Sequence, residues 1–297
     1  NGVTLHYRQG GSSGYTSVAM SGGAGSFTGT IPGSPVTMNG LLYYIIAQKA
    51  LGISSTSDIF CIEVGFNSGR VTTSSLTGSA YPSGLPMDKW RLISIPAVLD
   101  NSSVSQVIGD ELGTQDNNVW RLYEYNEGTG SFNDNPAQFT PGDSYWLYQR
   151  VGNNLSVSAP AGETGDMCGT YLTIRPGWNL IGSPYPFSLP LFLDPVQFYG
   201  PIAYGVEAEE WSGVVSELDP WNGYAVYNRT SGNLVITLDP TITGTARLAR
   251  TLDEEEGWLM TLQARGEEYQ DRFNTIGALS GANDELDWRD NPEIRAP

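Results

Sequence analysis

Apolar and polar residues alternate with a period of two over residues 3–8 (Val-Thr-Leu-His-Tyr-Arg). Short runs of similar character follow at 16–20, 26–31 and 41–47, separated by Gly- and Ser-rich turns. Successive side chains of a strand point to opposite faces, so this spacing predicts a meander of half-buried strands, read as a β-sandwich over residues 1–70. Residues 67–86 are rich in Ser, Thr and Gly and poor in large apolar groups, which reads as a linker or an extended edge, with the linker placed at 71–87. Period two breaks at 101–112, where an N-cap-like Asn101 precedes Val104, Val107, Ile108 and Leu112 on one helical face; one short helix is expected there, with an irregular loop as the alternative. Past residue 240 an acidic turn at 253–256 precedes strands at 258–264 and 274–279, so 241–297 reads as the start of a further β domain with an acidic loop.

The middle of the chain repeats itself. Arg-Pro-Gly-Trp-Asn-Leu-Ile-Gly-Ser-Pro-Tyr-Pro-Phe at 175–187 has a weaker earlier copy, Lys-Trp-Arg-Leu-Ile-Ser-Ile-Pro, at 89–96. Each opens on a Trp, runs through a short apolar strand and stops at a Pro, which cannot donate to a strand ladder. An aromatic strand (120–125, then 203–208), a turn with a Tyr strand (139–150, then 218–229) and a closing strand (154–158, then 233–238) follow in the same order both times. Self-similarity of this kind implies two copies of one supersecondary unit packed together. The predicted fold is therefore all-β: tandem sandwich domains around a repeated body (88–165 and 166–240), with at most one or two short helices. Trp90 and Trp178 are expected to be buried anchors at equivalent positions.

The GWNLIGSP-type opening followed by a PG-x-x-YW-type strand resembles modules of large secreted and surface proteins of Gram-negative bacteria that use type IX secretion. The pattern of the first seventy residues resembles the immunoglobulin-like (fibronectin-III-like) domain of the same family, with two strands missing ahead of residues 3–8. These are packing motifs, so the resemblance implies an extracellular or cell-surface location and an architecture rather than an activity. It also implies a chain that begins inside one domain and stops inside another. Such a chain is an excerpt of a longer protein, the favoured reading, or a subunit whose neighbours supply the missing strands by β-augmentation and build a fibre.

Composition narrows the chemistry. The chain has 297 residues, long enough for two or three domains, and a formal charge of −17 from 32 acidic and 15 basic side chains. That charge repels phosphate backbones and anionic membranes, so no nucleic-acid partner is expected. The longest apolar run, 41–47, falls far short of the roughly 20 residues that span a bilayer, so no membrane span is expected. His6 is the one histidine; a catalytic triad or a His-based zinc site would have to use it. Neither a G-x-x-x-x-G-K-[ST] phosphate loop nor a Cys-x-x-Cys pair is present, and the sequons at Asn101, Asn154 and Asn228 report surface position at most. No enzyme is expected, although 32 carboxylates leave glycosidase-type pairs open to geometry.

Three sets of residues are candidates for a site. Trp211 and Trp221, both beside polar turns, are the best exposed rings for sugar stacking, whereas most other aromatics of the body have the period-two spacing of a core. Asp284, Asp287 and Asp290 concentrate oxygen ligands in a short span that suits calcium, with an acidic solvated turn as the alternative; no other cofactor is expected. Cys61 and Cys168 form either one bridge between domains or two separate thiols. Their settings, an apolar strand and a Gly-rich linker, lean toward unpaired. The resulting expectation is a non-catalytic structural or adhesive module whose partners are neighbouring domains or neighbouring copies. Its alternative is a carbohydrate-binding accessory region of a secreted polysaccharide-degrading enzyme or peptidase.

Overall fold

The computed structural model describes residues 2–49, 52–205 and 209–242, together with the backbone of two strands at 257–265 and 270–279. Strand takes 46% of it and helix 4%, with several multi-stranded antiparallel sheets, so the chain is all-β as expected. No helix among the described residues is long and apolar enough to cross a membrane.

Strands β1 (Gly2–Gln9), β2 (Thr16–Gly23), β3 (Ser26–Thr28), β4 (Leu41–Gln48), β5 (Ser54–Thr56) and β6 (Phe60–Ile62) form one sheet in the order β3-β2-β1-β4-β5, with β6 also on β4. Register sets Arg8 opposite Leu42 and Leu42 opposite Cys61, so the three lie side by side on one face. That face is buried against the second repeat. Leu42 enters a core with Met167, Tyr185 and Phe187, and the Arg8 guanidinium donates to the Pro240 and Thr241 carbonyls at 3.0 and 2.7 Å. The sandwich expected over residues 1–70 is thus a single sheet whose facing layer comes from residues farther along the chain.

Residues 71–87 are not a linker. Val71, Leu76, Tyr81 and Leu85 are buried in the first repeat's core, and Leu85 pairs with Leu155. Thr73, fully buried, accepts from the Val157 amide at 3.1 Å, and Ser79 donates to the Thr73 carbonyl at 2.7 Å. Hydroxyls serve backbone groups here, which is why so polar a stretch can line a core.

The two repeats share one topology. After β7 (Gly65–Phe66), the first sheet is built from β8 (Trp90–Ser94), β10 (Trp120–Asn126), β11 (Ser131–Asp134) and β12 (Ser144–Gln149), in the order β11-β10-β12-β8. The second is built from β15 (Gly177–Gly182), β17 (Phe198–Gly205), β18 (Glu210–Val214) and β20 (Gly223–Asn228), in the order β15-β20-β17-β18. Tyr145 lies opposite Ile93 and Glu124; Tyr224 lies opposite Ile181 and Ala203. Each Tyr hydroxyl accepts from the amide five residues before it, Thr140 at 2.8 Å and Asp219 at 2.6 Å. Four residues after each Tyr, Gln149 and Asn228 donate to the Leu85 and Ile174 carbonyls. Equivalent residues therefore follow from register alone. Trp90 and Trp178 do occupy equivalent positions, opposite Tyr148 and Tyr227, but both are half-buried rather than fully buried anchors.

The smaller elements close the body. β9 (Val98–Leu99) and β7 flank β13 (Gly162–Glu163), β14 (Thr170–Ile174) pairs with β21 (Leu234–Leu238), and β16 (Leu189–Pro190) with β19 (Glu217–Leu218). The helix expected at 101–112 is two single turns, α1 (Val104–Val107) and α2 (Gly109–Leu112). They are broken at Ile108, whose φ and ψ are −130° and −9°. Val104, Val107, Ile108 and Leu112 are all buried, so the apolar face is as predicted. Gly109 lacks helix propensity where one continuous helix would need it. The N-cap is Ser103, not Asn101, whose side chain accepts from the Ser103 amide at 3.1 Å. The strands expected near the C-terminus pair as a hairpin, β22 (Gly257–Arg265) with β23 (Gln270–Leu279).

Candidate functional site at the junction of the repeats

The opening strand of each repeat bridges to the turn of the other. Ile93 pairs with Asn222 and its equivalent Ile181 pairs with Asp143. The Ser94 amide donates to the Trp221 carbonyl at 3.1 Å, and the equivalent Gly182 amide donates to the Gly142 carbonyl at 2.8 Å. Each repeat offers the other the same groups, as the subunits of a two-fold dimer do, here within one chain.

Side chains break the symmetry where the halves are closest. A Cβ at Gly182 would sit 2.0 Å from the Ser94 Cβ, and one at Gly223 would sit 2.6 Å from the Ser144 Cβ. The first repeat thus carries Ser where the second carries Gly, and each Ser fills a notch. Ser94 Oγ also donates to the Asn222 carbonyl at 2.8 Å. Between the sheets Leu92, Trp146, Leu180, Ile202 and Ala225 form a shared core. Half-buried rings surround it, Trp211 among them, edge-on to Trp146 at 5.7 Å and to Tyr204 at 5.4 Å.

Trp221 is no sugar platform. It is 0% exposed and fills the first repeat's core, with φ +67°, a left-handed conformation uncommon for a large side chain. Its equivalent, Gly142, has φ +91°, and there the space is taken by Leu172, 2.5 Å from an added Cβ. The turn demands this backbone; in the second repeat it is kept because the indole locks the halves together. A neighbouring polar turn says nothing about whether a ring points outward, which is why sequence favoured Trp221. Of the two candidate rings, Trp211 alone keeps an exposed part.

Cys61 and Cys168 are disulfide-bonded, with Cα atoms 5.4 Å apart, against the unpaired reading. The bond fastens β6 to the chain entering β14. Nearby, the Glu63 carboxylate accepts from the Met167 amide at 3.1 Å and the Val64 amide donates to Thr164 Oγ1 at 3.0 Å. The Gly-rich stretch read as a linker is a docking seam, and docking brought the cysteines together. Asp284, Asp287 and Asp290 lie outside the described residues; among those described, no group of three or more His, Cys, Asp or Glu side chains could hold a metal ion.

A cavity of about 340 Å³ opens beside the Asp143–Ile181 bridge, lined by Glu124, Glu127, Asp143, Arg175, Tyr125 and Ser144 among others. Burial, then the charges of Glu127 and Glu124, push the Asp143 carboxyl up to about 7 against a hydrogen bond from Thr140. Glu127 is raised by burial and by Glu124, while a backbone hydrogen bond and the Arg175 guanidinium pull it down. Burial and Glu127 raise Tyr125. Sequence reading did not single out these residues. The available signal was the repeat itself, since PGDSYW carries Asp143 where PWNGYA carries Asn222. No protein-family model, characterised protein or solved structure matches the chain.

Proposed function

We propose that the chain is a non-catalytic structural or adhesive module of a secreted bacterial surface protein, of the type the opening motifs resemble, with neighbouring domains or neighbouring copies as its partners. The carrying observation is the Cys61–Cys168 bond, which staples the N-terminal sheet to the second repeat. A bond in that place suits an oxidising compartment. The shared core between repeats adds rigidity. Assembly into a fibre is the extended form of the same proposal.

The test is cell fractionation with thiol labelling. A protein that resists maleimide until reduced, and that external protease removes from intact cells, supports the module. Free thiols in a cytoplasmic fraction overturn it. A carbohydrate-binding accessory role is the second reading, favoured by the half-buried Trp90, Trp178 and Trp211. Pull-down on insoluble polysaccharide that is lost on Trp211→Ala separates it from a purely structural one.

A further inference from the structure

Where the repeats touch, equivalent positions carry different residues: Ser94 corresponds to Gly182, Ser144 to Gly223 and Trp146 to Ala225. Farther out on the same two faces the identities return. Trp90 corresponds to Trp178 and Tyr148 to Tyr227, each Trp lying opposite its Tyr. Because Gln149 and Asn228 are equivalent, Arg150 and Arg229 correspond as well. Two copies that have diverged at their contact have kept Trp, Tyr and Arg at the rim.

Packing alone does not account for this. Leu92 and Leu180 are alike in the shared core, as close packing requires. Away from a core, substitutions cost little, so a rim is where two copies differ most readily. Yet Trp90, Trp178, Tyr148 and Tyr227 are only half-buried and Arg150 is exposed. The two rims are also built alike. Trp90 lies 5.3 Å from the Tyr148 ring and 5.7 Å from Tyr123, and Trp178 lies 5.2 Å from Tyr227 and 6.1 Å from Tyr199. A guanidinium stands over one ring of each group, Arg150 at 5.5 Å from Tyr148 and Arg229 at 5.7 Å from Tyr199. In the first, Asp88 Oδ1 accepts from the Tyr148 hydroxyl at 3.0 Å and from Arg150 Nε at 3.1 Å. Each rim is therefore an aromatic pad with polar groups at its edge, made twice.

We propose that the two pads are paired binding sites for a neutral polysaccharide of flat, equatorially substituted hexoses. This names the partner of the adhesive module proposed above and rests on that reading. An indole presents an apolar face to the C–H face of a sugar ring, while phenol and guanidinium groups beside it reach the hydroxyls. An acidic polysaccharide is disfavoured by the chain's charge of −17. A polymer of identical units offers the same surface to both pads, which gives a duplicated site a use that a single small ligand does not.

The test is calorimetric titration of the whole chain with cellohexaose, and with alginate as the charged control. Saturable binding of cellohexaose at two equivalent sites per chain supports the proposal. Trp90→Leu and Trp178→Leu should each leave one site and the double variant none, with melting temperatures as the check on folding. Arg150→Gln changes an exposed side chain and should weaken one of the two sites about threefold or more, so the proposal stays open to refutation even where a Trp variant fails to fold. A single site that is lost on Trp211→Ala overturns it, because binding then lies at the centre of the junction. Two sites indifferent to the pad variants overturn it as well, as does alginate bound as tightly as cellohexaose. No binding at millimolar cellohexaose also overturns it, and leaves the module itself standing, since thiol labelling and fractionation read that independently.

Discussion

Gly182→Ala tests the construction of the junction most directly. The added Cβ would lie 2.0 Å from the Ser94 Cβ, 2.6 Å from the Ser94 Oγ and 3.0 Å from the Asp143 carbonyl oxygen. Carbon atoms at van der Waals contact are about 3.5–4.0 Å apart, and a Cβ is fixed to its backbone, so no side-chain rotation relieves the overlap. Strands β8 and β15 must separate, opening the core that holds Leu92, Trp146 and Leu180. Overpacking of this kind costs about 1–3 kcal/mol and sometimes more; the Cβ-to-Cβ clash puts this variant at the upper end. Urea unfolding followed by tryptophan fluorescence reads it, since Trp90 and Trp146 lie at the junction. Ser94→Gly alone loses the bond to the Asn222 carbonyl and adds a strand glycine, about 1 kcal/mol for each. In the double variant the Cβ has crossed the interface and the clash is gone. The two changes should therefore couple favourably by about 1.5–3 kcal/mol. A single variant within about 0.5 kcal/mol of wild type, or a double variant whose effects simply add within that margin, would refute the notch.

Trp221→Ala should cost about 3–5 kcal/mol in thermal or urea unfolding without altering polysaccharide pull-down, and Trp221→Gly should be less damaging than Ala by about 1 kcal/mol because it suits φ +67°. Replacing both Cys61 and Cys168 by Ser removes a cross-link spanning 107 residues and should lower stability, by about 4–5 kcal/mol on the loop-entropy model; reductant should destabilise the wild type equally and leave the variant unchanged. For Asp143, facing Glu124, Glu127 and Thr140, the folded protein binds the proton more tightly than the unfolded chain, from 3.8 to about 7. Stability should thus fall as pH rises from about 4 to 7, by a few kcal/mol at most, and Asp143→Asn should flatten that fall in pH-dependent urea melts. A variant with the wild-type slope would show that Asp143 ionises freely in the folded state.

The elements legible in the sequence were those whose signal is local. Alternation marked β1, and the Trp-to-Pro runs marked β8 and β15 along with the repeat they open. Residues 71–87 were misread because Val71, Leu76, Tyr81 and Leu85 follow neither a strand nor a helix period while lining one core. Trp221 was misread because its exposure is decided by the other repeat, some 130 residues away in sequence, where Ile93 bridges to Asn222. The disulfide was missed for a similar reason, since only docking of the N-terminal sheet brings Cys61 to Cys168. The acidic hollow was within reach of sequence, but only by comparing the two copies residue against residue.

That comparison also explains why the two repeats occupy one chain. If two first repeats met about the same axis, Ser94 and Ser144 would each face a Ser in place of Gly182 and Gly223, with Cβ overlap at both sites. Two second repeats would bring glycines together and leave voids, and would bring Trp221 toward a core already filled in its own kind by Leu172. Each self-pairing is penalised and the mixed pair is favoured, a specificity obtained by building clashes against the alternative. Expressed separately, residues 67–165 and 166–242 should associate with each other and not with themselves. Homodimers of either half in analytical ultracentrifugation, as stable as the mixed pair, would show that the Ser and Gly positions do not set the pairing.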